Sequence, residues 1–195
     1  MSVSAFVDVL TSRLPALAAP LRGPVSAADL QALQAAVEMP LPPEVQDVYA
    51  TVDGQYGILP GVLLGLTWLP ARRTAQEHAT WMDLAQDDPT LGSEPASAIQ
   101  PVTFHRHWVP LAVDGSGNGL AIDLAPGTTG VAGQVITYGP DETTRRVVSP
   151  SVTALFHWAA TAVEQQGVQV SGDEVTYRGH TSFLDALREM TLPLG

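Results

Sequence analysis

The stretch from His107 to Pro150 limits what this chain can fold into more than any other, because short apolar runs alternate there with glycine-rich corners. Trp108 to Ala112, Leu120 to Leu124, Gln134 to Tyr138 and Arg145 to Val148 each have the length and composition of a strand. Between the first two lies Asp114-Gly115-Ser116-Gly117-Asn118-Gly119, a tight reversal, since glycine takes positive φ without steric cost. Ala125 to Gly130 makes a longer turn of the same chemistry. Four strands joined in this way form an antiparallel meander.

Helical spacing surrounds it. Val3, Phe6, Val7, Leu10 and Leu14 form one stripe, predicting a helix over 2–14 that stops before Pro15. Ser26 and Asp29 have capping-box spacing for a helix through Glu38, and Pro43 suits the first turn of the next, which runs to Gly54. A short strand is expected near 62–66 and a helix from Pro70 to about Gln86. Residues 87–100, with two aspartates and two prolines, are expected to form an exposed, mobile excursion. A helix follows Ser151, then a hairpin over 168–177 and a last helix from Ser182. Helices, consecutive strands, then helices is an α+β order around a twisted, mainly antiparallel sheet. At 195 residues one domain spanning 1–195 is expected, with the helix 2–14 and the hairpin-helix 168–190 as peripheral extensions.

Composition removes several functions. The absence of cysteine excludes disulfides, thiolate nucleophiles and cysteine-ligated zinc. The net charge of -11, with arginine as the basic residue throughout, opposes general nucleic-acid binding. The acidity is uneven: residues 27–94 hold ten acids against Arg72 and Arg73, a field suited to a basic protein partner. The longest apolar run, 58–69, is broken by proline and glycine and is too short to span a membrane. No basic region followed by an apolar core opens the sequence, so the cytoplasm is the expected location.

Catalytic and metal motifs fail one by one. The loop from Asp114 has calcium-loop oxygens at its first, third and fifth positions, but Ala125 stands where the bidentate glutamate belongs. No phosphate-binding loop occurs in a chain without lysine. His105 and His107 share a face if extended, yet two imidazoles do not complete a metal site, so no metal and no cofactor is expected. Gly115-Ser116-Gly117 lacks the spacing and setting of a nucleophile elbow. The adjacent acids Asp87-Asp88 and Asp141-Glu142 are loop carboxylates. Asp123, inside a strand, needs donors and is expected to accept hydrogen bonds from loop amides, a structural role like that of Asp114, Asn118 and Gly119.

Two patches carry a resemblance. Trp108, the glycine-asparagine loop, Ile122 to Gly127, Gly133 to Ile136 and the Gly139-Pro140-Asp141 turn resemble the fungal cell-wall assembly regulators and their bacterial relatives in the SUKH superfamily. Leu41-Pro42-Pro43 followed by a helix ending at Asp53-Gly54-Gln55 agrees, and together the resemblance covers residues 25–165. It implies a SUKH-like fold and a non-enzymatic protein-binding role: an immunity-type protein that neutralises a basic, nuclease-like toxin, or a regulatory scaffold. The residues expected to meet a basic partner are Asp47, Asp53, Asp83, Asp87, Asp88 and Glu94, with Trp81 as an aromatic anchor. The competing expectation is a small-ligand or enzymatic cleft where Asp114, Asn118, Asp123 and His107 converge.

Overall fold

The computed structural model describes residues 3–194. The chain opens with α1 (Val3–Arg13), then α2 (Pro15–Ala18), α3 (Ala27–Ala36) and α4 (Pro43–Thr51). Ser2, the expected first residue of the opening helix, lies outside the described residues. The oxygen of Ser26 caps α3 by accepting from the Asp29 amide at 3.1 Å, and Pro43 occupies the first turn of α4. The strand expected near 62–66 is instead a tight turn with Leu64 at positive φ, and the strand follows it as β1 (Thr67–Trp68). α5 (Ala71–Met82) comes next, then β2 (Gly92–Glu94) and the meander β3 (Trp108–Val113), β4 (Gly119–Asp123), β5 (Gln134–Tyr138) and β6 (Thr144–Ser149). α6 (Val152–Glu164), the hairpin β7 (Val168–Ser171) and β8 (Glu174–Tyr177), and α7 (Phe183–Arg188) complete it.

The main sheet has the order β1-β3-β4-β5-β6-β2, antiparallel throughout except for β2 beside β6. Residues 87–100 are therefore not merely an exposed loop: they supply an edge strand, and Ala98 and Ile99 are buried. β3 is an interior strand, yet it contains Pro110, which has no N–H to give. The β3–β4 register slips between Pro110 and Ala112, the bulge that a proline in a strand requires.

Both faces of the sheet are covered, so its strands read as apolar runs rather than alternating ones. Val109, Leu111, Leu120, Ile122, Val135 and Val148 face the larger core, filled from α1, α4 and α6. At its centre Trp68 and Phe156 lie 4.8 Å apart and Phe6 and Phe156 5.5 Å apart. The two segments expected at the periphery add to this core, Phe6 from the first helix and Tyr177 and Phe183 around Trp158 from the last. Trp108, Ala121, Ile136, Tyr138 and Val147 face a second, smaller core closed by Phe104, Ile99 and the end of α5.

Candidate functional site

The corner between β3 and β4 is closed by its own atoms. Asp114 Oδ1 accepts from the amides of Ser116 and Asn118, and Asn118 Nδ2 donates to Ser116 Oγ at 2.9 Å and Asp141 Oδ2 at 2.9 Å. Asn118 Oδ1 accepts from the Asp141 amide, tying this corner to the β5–β6 corner. Gly119 and Gly139 are dictated by contact: a Cβ on the first would meet the Ala112 carbonyl oxygen at 2.3 Å, and on the second Asn118 Oδ1 at 2.4 Å.

Asp123, grouped with that corner from the sequence, is not part of it: it lies at the other end of β4, and the loop amide it meets is that of Ala125. Fully buried, it accepts from Trp108 Nε1 at 3.0 Å, the Ala125 amide at 2.9 Å and Gln134 Nε2 at 3.0 Å. Burial pushes its pKa up, and the hydrogen bonds from Gln134, Ala125 and Trp108 oppose that shift. His107 points elsewhere: its Nδ1 donates to the Val37 carbonyl at 2.9 Å, and its amide donates to His105 Nδ1 at 3.1 Å. Burial, with His107 and Arg106 nearby, lowers the pKa of His105. Asp114, Asn118, Asp123 and His107 therefore do not converge on a cleft, and the small-ligand expectation fails on geometry. Among the described residues no group of three His, Cys, Asp or Glu side chains could hold a metal.

The expected partner-binding residues are scattered over several environments. Asp53 is buried, 3% exposed. Its carboxylate pairs with Arg22 at 3.2 Å and accepts the first amide of α5, from Ala71, at 2.7 Å. It starts a helix and does not present charge to solvent. Asp47 is exposed on α4 beside Glu44 and Thr51, in a depression of its own. Glu94 pairs with Arg146 at 3.1 Å.

Trp81, Asp83 and Asp88 do come together. They line a groove of about 630 Å³ between the end of α5, the segment 84–91 and the corner 139–145. Trp81 stacks on Phe104 at 5.9 Å, meets Tyr138 edge-on at 5.6 Å and donates through Nε1 to Glu77 at 3.0 Å, so its ring is half-buried in the second core. Asp88 accepts from the amide and hydroxyl of Thr90, which hold its pKa below the ordinary carboxylate value. Asp87 is exposed beside it.

Two members of the groove escaped sequence reasoning. Leu84 is 61% exposed and sits on the groove wall; a large apolar residue off the helical stripe was its only signal. Arg145 lies in the floor, 2% exposed, over the Trp108 ring at 5.3 Å, with Nη2 donating to the Thr103 carbonyl at 2.8 Å. Desolvation lowers its pKa to about 10, against the pull of Glu142 and Asp88. Its Nε and Nη1 have no hydrogen-bond partner among the described residues.

The fold, a helix-first α+β unit with a polar-clamped meander, is of the SUKH kind. Residues 24–158 match the model of the SMI1/KNR4 family (SUKH-1), and the chain belongs to that family. A cell wall biosynthesis/cell cycle regulator of Schizosaccharomyces pombe is 38% identical over 140 residues, covering 64% of this chain and 28% of the relative. The glucan synthesis regulatory protein of Neurospora crassa is 29% identical over 161 residues, covering 63% and 30%. The cell wall assembly regulator SMI1 of Saccharomyces cerevisiae is 44% identical over 61 residues, covering 31% and 12%. The matched regions thus span less than a third of these relatives' own length, and the relatives are named as regulators, not as enzymes. No helix among the described residues is long and apolar enough to cross a membrane.

Proposed function

We propose that this chain is a non-enzymatic regulatory module of the cell-wall regulator type, which acts by binding a protein partner in the groove at the end of α5. The observation that carries this is the joining of exposed Leu84 and half-buried Trp81 to the carboxylates of Asp83 and Asp88 in a single concavity. An apolar wall of Leu84 and Trp81 beside a charged rim has the anatomy of a protein interface; the Arg145 guanidinium in the floor is covered, and the rim's sign suits a partner segment with lysine or arginine around an aliphatic side chain. Asp87 adds to that field from the adjoining surface.

Toxin neutralisation, the other reading of the sequence, rests on bacterial members of the superfamily and gains nothing from the relatives found, which are fungal regulators. The regulatory reading replaces it.

The test is a photo-crosslinking residue placed at position 84, with position 47 as control, in the cells the protein comes from. A partner captured from 84 and not from 47, whose binding weakens at least tenfold between low and high salt and is lost in D83N/D87N/D88N, supports the proposal. Equal capture from both positions, or indifference to salt and to the variant, refutes it.

A further inference from the structure

The loop that follows α4 has a second concentration of exposed apolar surface. Tyr56, Ile58 and Leu59 are 61%, 62% and 59% exposed, three large side chains within four consecutive residues. Single exposed apolar residues are ordinary, whereas a cluster held in place marks a contact surface. This one is held. The Tyr56 amide donates to the Pro20 carbonyl at 2.8 Å, and Thr67 Oγ1 donates to the Ile58 carbonyl at 2.7 Å. Buried Gln55 donates to the Pro60 carbonyl and accepts from the amides of Val62 and Trp68. Beside the tip is a cleft of about 190 Å³, lined in part by Arg22, Tyr56, Leu69 and Arg73. That is below the roughly 300–1,000 Å³ of small-molecule sites and suits an inserted side chain.

The charge here is opposite to that of the groove. Arg22 stacks on Tyr56 at 4.6 Å, while exposed Arg72 and Arg73 have no carboxylate partner among the described residues. Both sit in the first turn of α5, where the helix dipole disfavours cations, and Asp83 sits at its C-cap, where the dipole disfavours anions. Such placements cost the helix rather than stabilise it, so helix stability does not account for them, and Arg73 lines the cleft.

We propose that the Tyr56–Leu59 tip and its cleft form a second docking surface, whose occupant is an acidic segment of a partner protein carrying an apolar side chain. Arg72 and Arg73 meet the carboxylates, and Tyr56, Ile58 and Leu59 bury the apolar residue. An anionic membrane would also offer negative charge. The net charge of -11 opposes approach to an extended anionic surface, whereas a short peptide feels only the charges within about 8 Å, the Debye length at physiological salt.

The test selects a randomised dodecapeptide phage library on the full chain and measures the recovered peptides by fluorescence anisotropy. The expected peptides are rich in Asp, Glu and large apolar residues, and they bind at least tenfold more weakly to R72E/R73E and to I58S/L59S, each checked for unchanged circular dichroism and Tm. They bind D83N/D88N as they bind wild type, which separates this surface from the groove. Failure to enrich, enrichment of basic peptides, or binding indifferent to both tip variants overturns the proposal. So does co-sedimentation with phosphatidylserine vesicles, or a dimer by analytical ultracentrifugation, that either tip variant abolishes, since the tip then belongs to lipid or to a second copy.

Discussion

Replacing Asp123 by Asn changes one atom and tests how the sheet corner is held. Asn keeps an oxygen for Trp108 Nε1 and the Ala125 amide, which both bond Oδ1, but turns an NH₂ toward Gln134 Nε2, a donor 3.0 Å from the present Oδ2. Gln134 cannot turn over, because its Nε2 also donates to the Ala98 carbonyl and its Oε1 accepts from the Val131 amide. One hydrogen bond is lost and two buried donors face each other, a cost of about 2–3 kcal/mol. In a domain of this size that lowers Tm by about 4–12 °C.

The pH dependence supplies a second reading from the same variant. Because the folded pKa of Asp123 is raised above the ordinary value of 3.8, the wild-type carboxyl contributes stability that is present in full below 3.8 and lost as pH rises through the folded pKa. Asn does not titrate, so the penalty of D123N grows on acidification from pH 7 toward pH 4. Urea unfolding followed by tryptophan fluorescence across that range measures it. A penalty that shrinks on acidification, or a D123N chain as stable as wild type throughout, refutes the account of burial outweighing three donors.

Gly139→Ala costs about 2–4 kcal/mol by thermal unfolding, since its Cβ meets Asn118 at φ +136°, while Gly115→Ala, at φ +87° with open space around it, costs about 1 kcal/mol. Asp53→Ala lowers stability by about 2–3 kcal/mol in urea, because Arg22 and the first amide of α5 both lose their acceptor. Arg145→Met changes stability in urea by no more than about 1 kcal/mol, since losing the Thr103 hydrogen bond and the Trp108 contact is offset by removing a buried guanidinium with two unpartnered nitrogens, the packing volume being kept.

The meander was legible because its corners are glycines with steric reasons to be glycine, and β3 to β6 fall within a residue or so of the apolar runs that announce them. The helix starts at Ser26, Ser151 and Ser182 were legible for the same local reason, a serine that caps its own helix. β1 and β2 were not. Two and three residues long, they have no alternation to read and exist only because β3 and β6 supply their hydrogen bonds from far along the chain. Asp53 failed similarly: its partners lie 31 and 18 residues away, so nothing nearby marks it as buried. In the groove, the acids and Trp81 could be named from composition. Arg145, on a strand remote from them, needed the fold to bring it there.

α5 has one more consequence. Twelve residues at about 1.5 Å each make a rod near 18 Å long, whose N-terminal end is fastened by Asp53 and whose C-terminal end is wedged by Trp81 against Phe104. Guests seated at the two ends would be kept at a set separation and in a set order. Recruiting one would then raise the local concentration of the other without any change of shape, which is the behaviour of a jig rather than a switch.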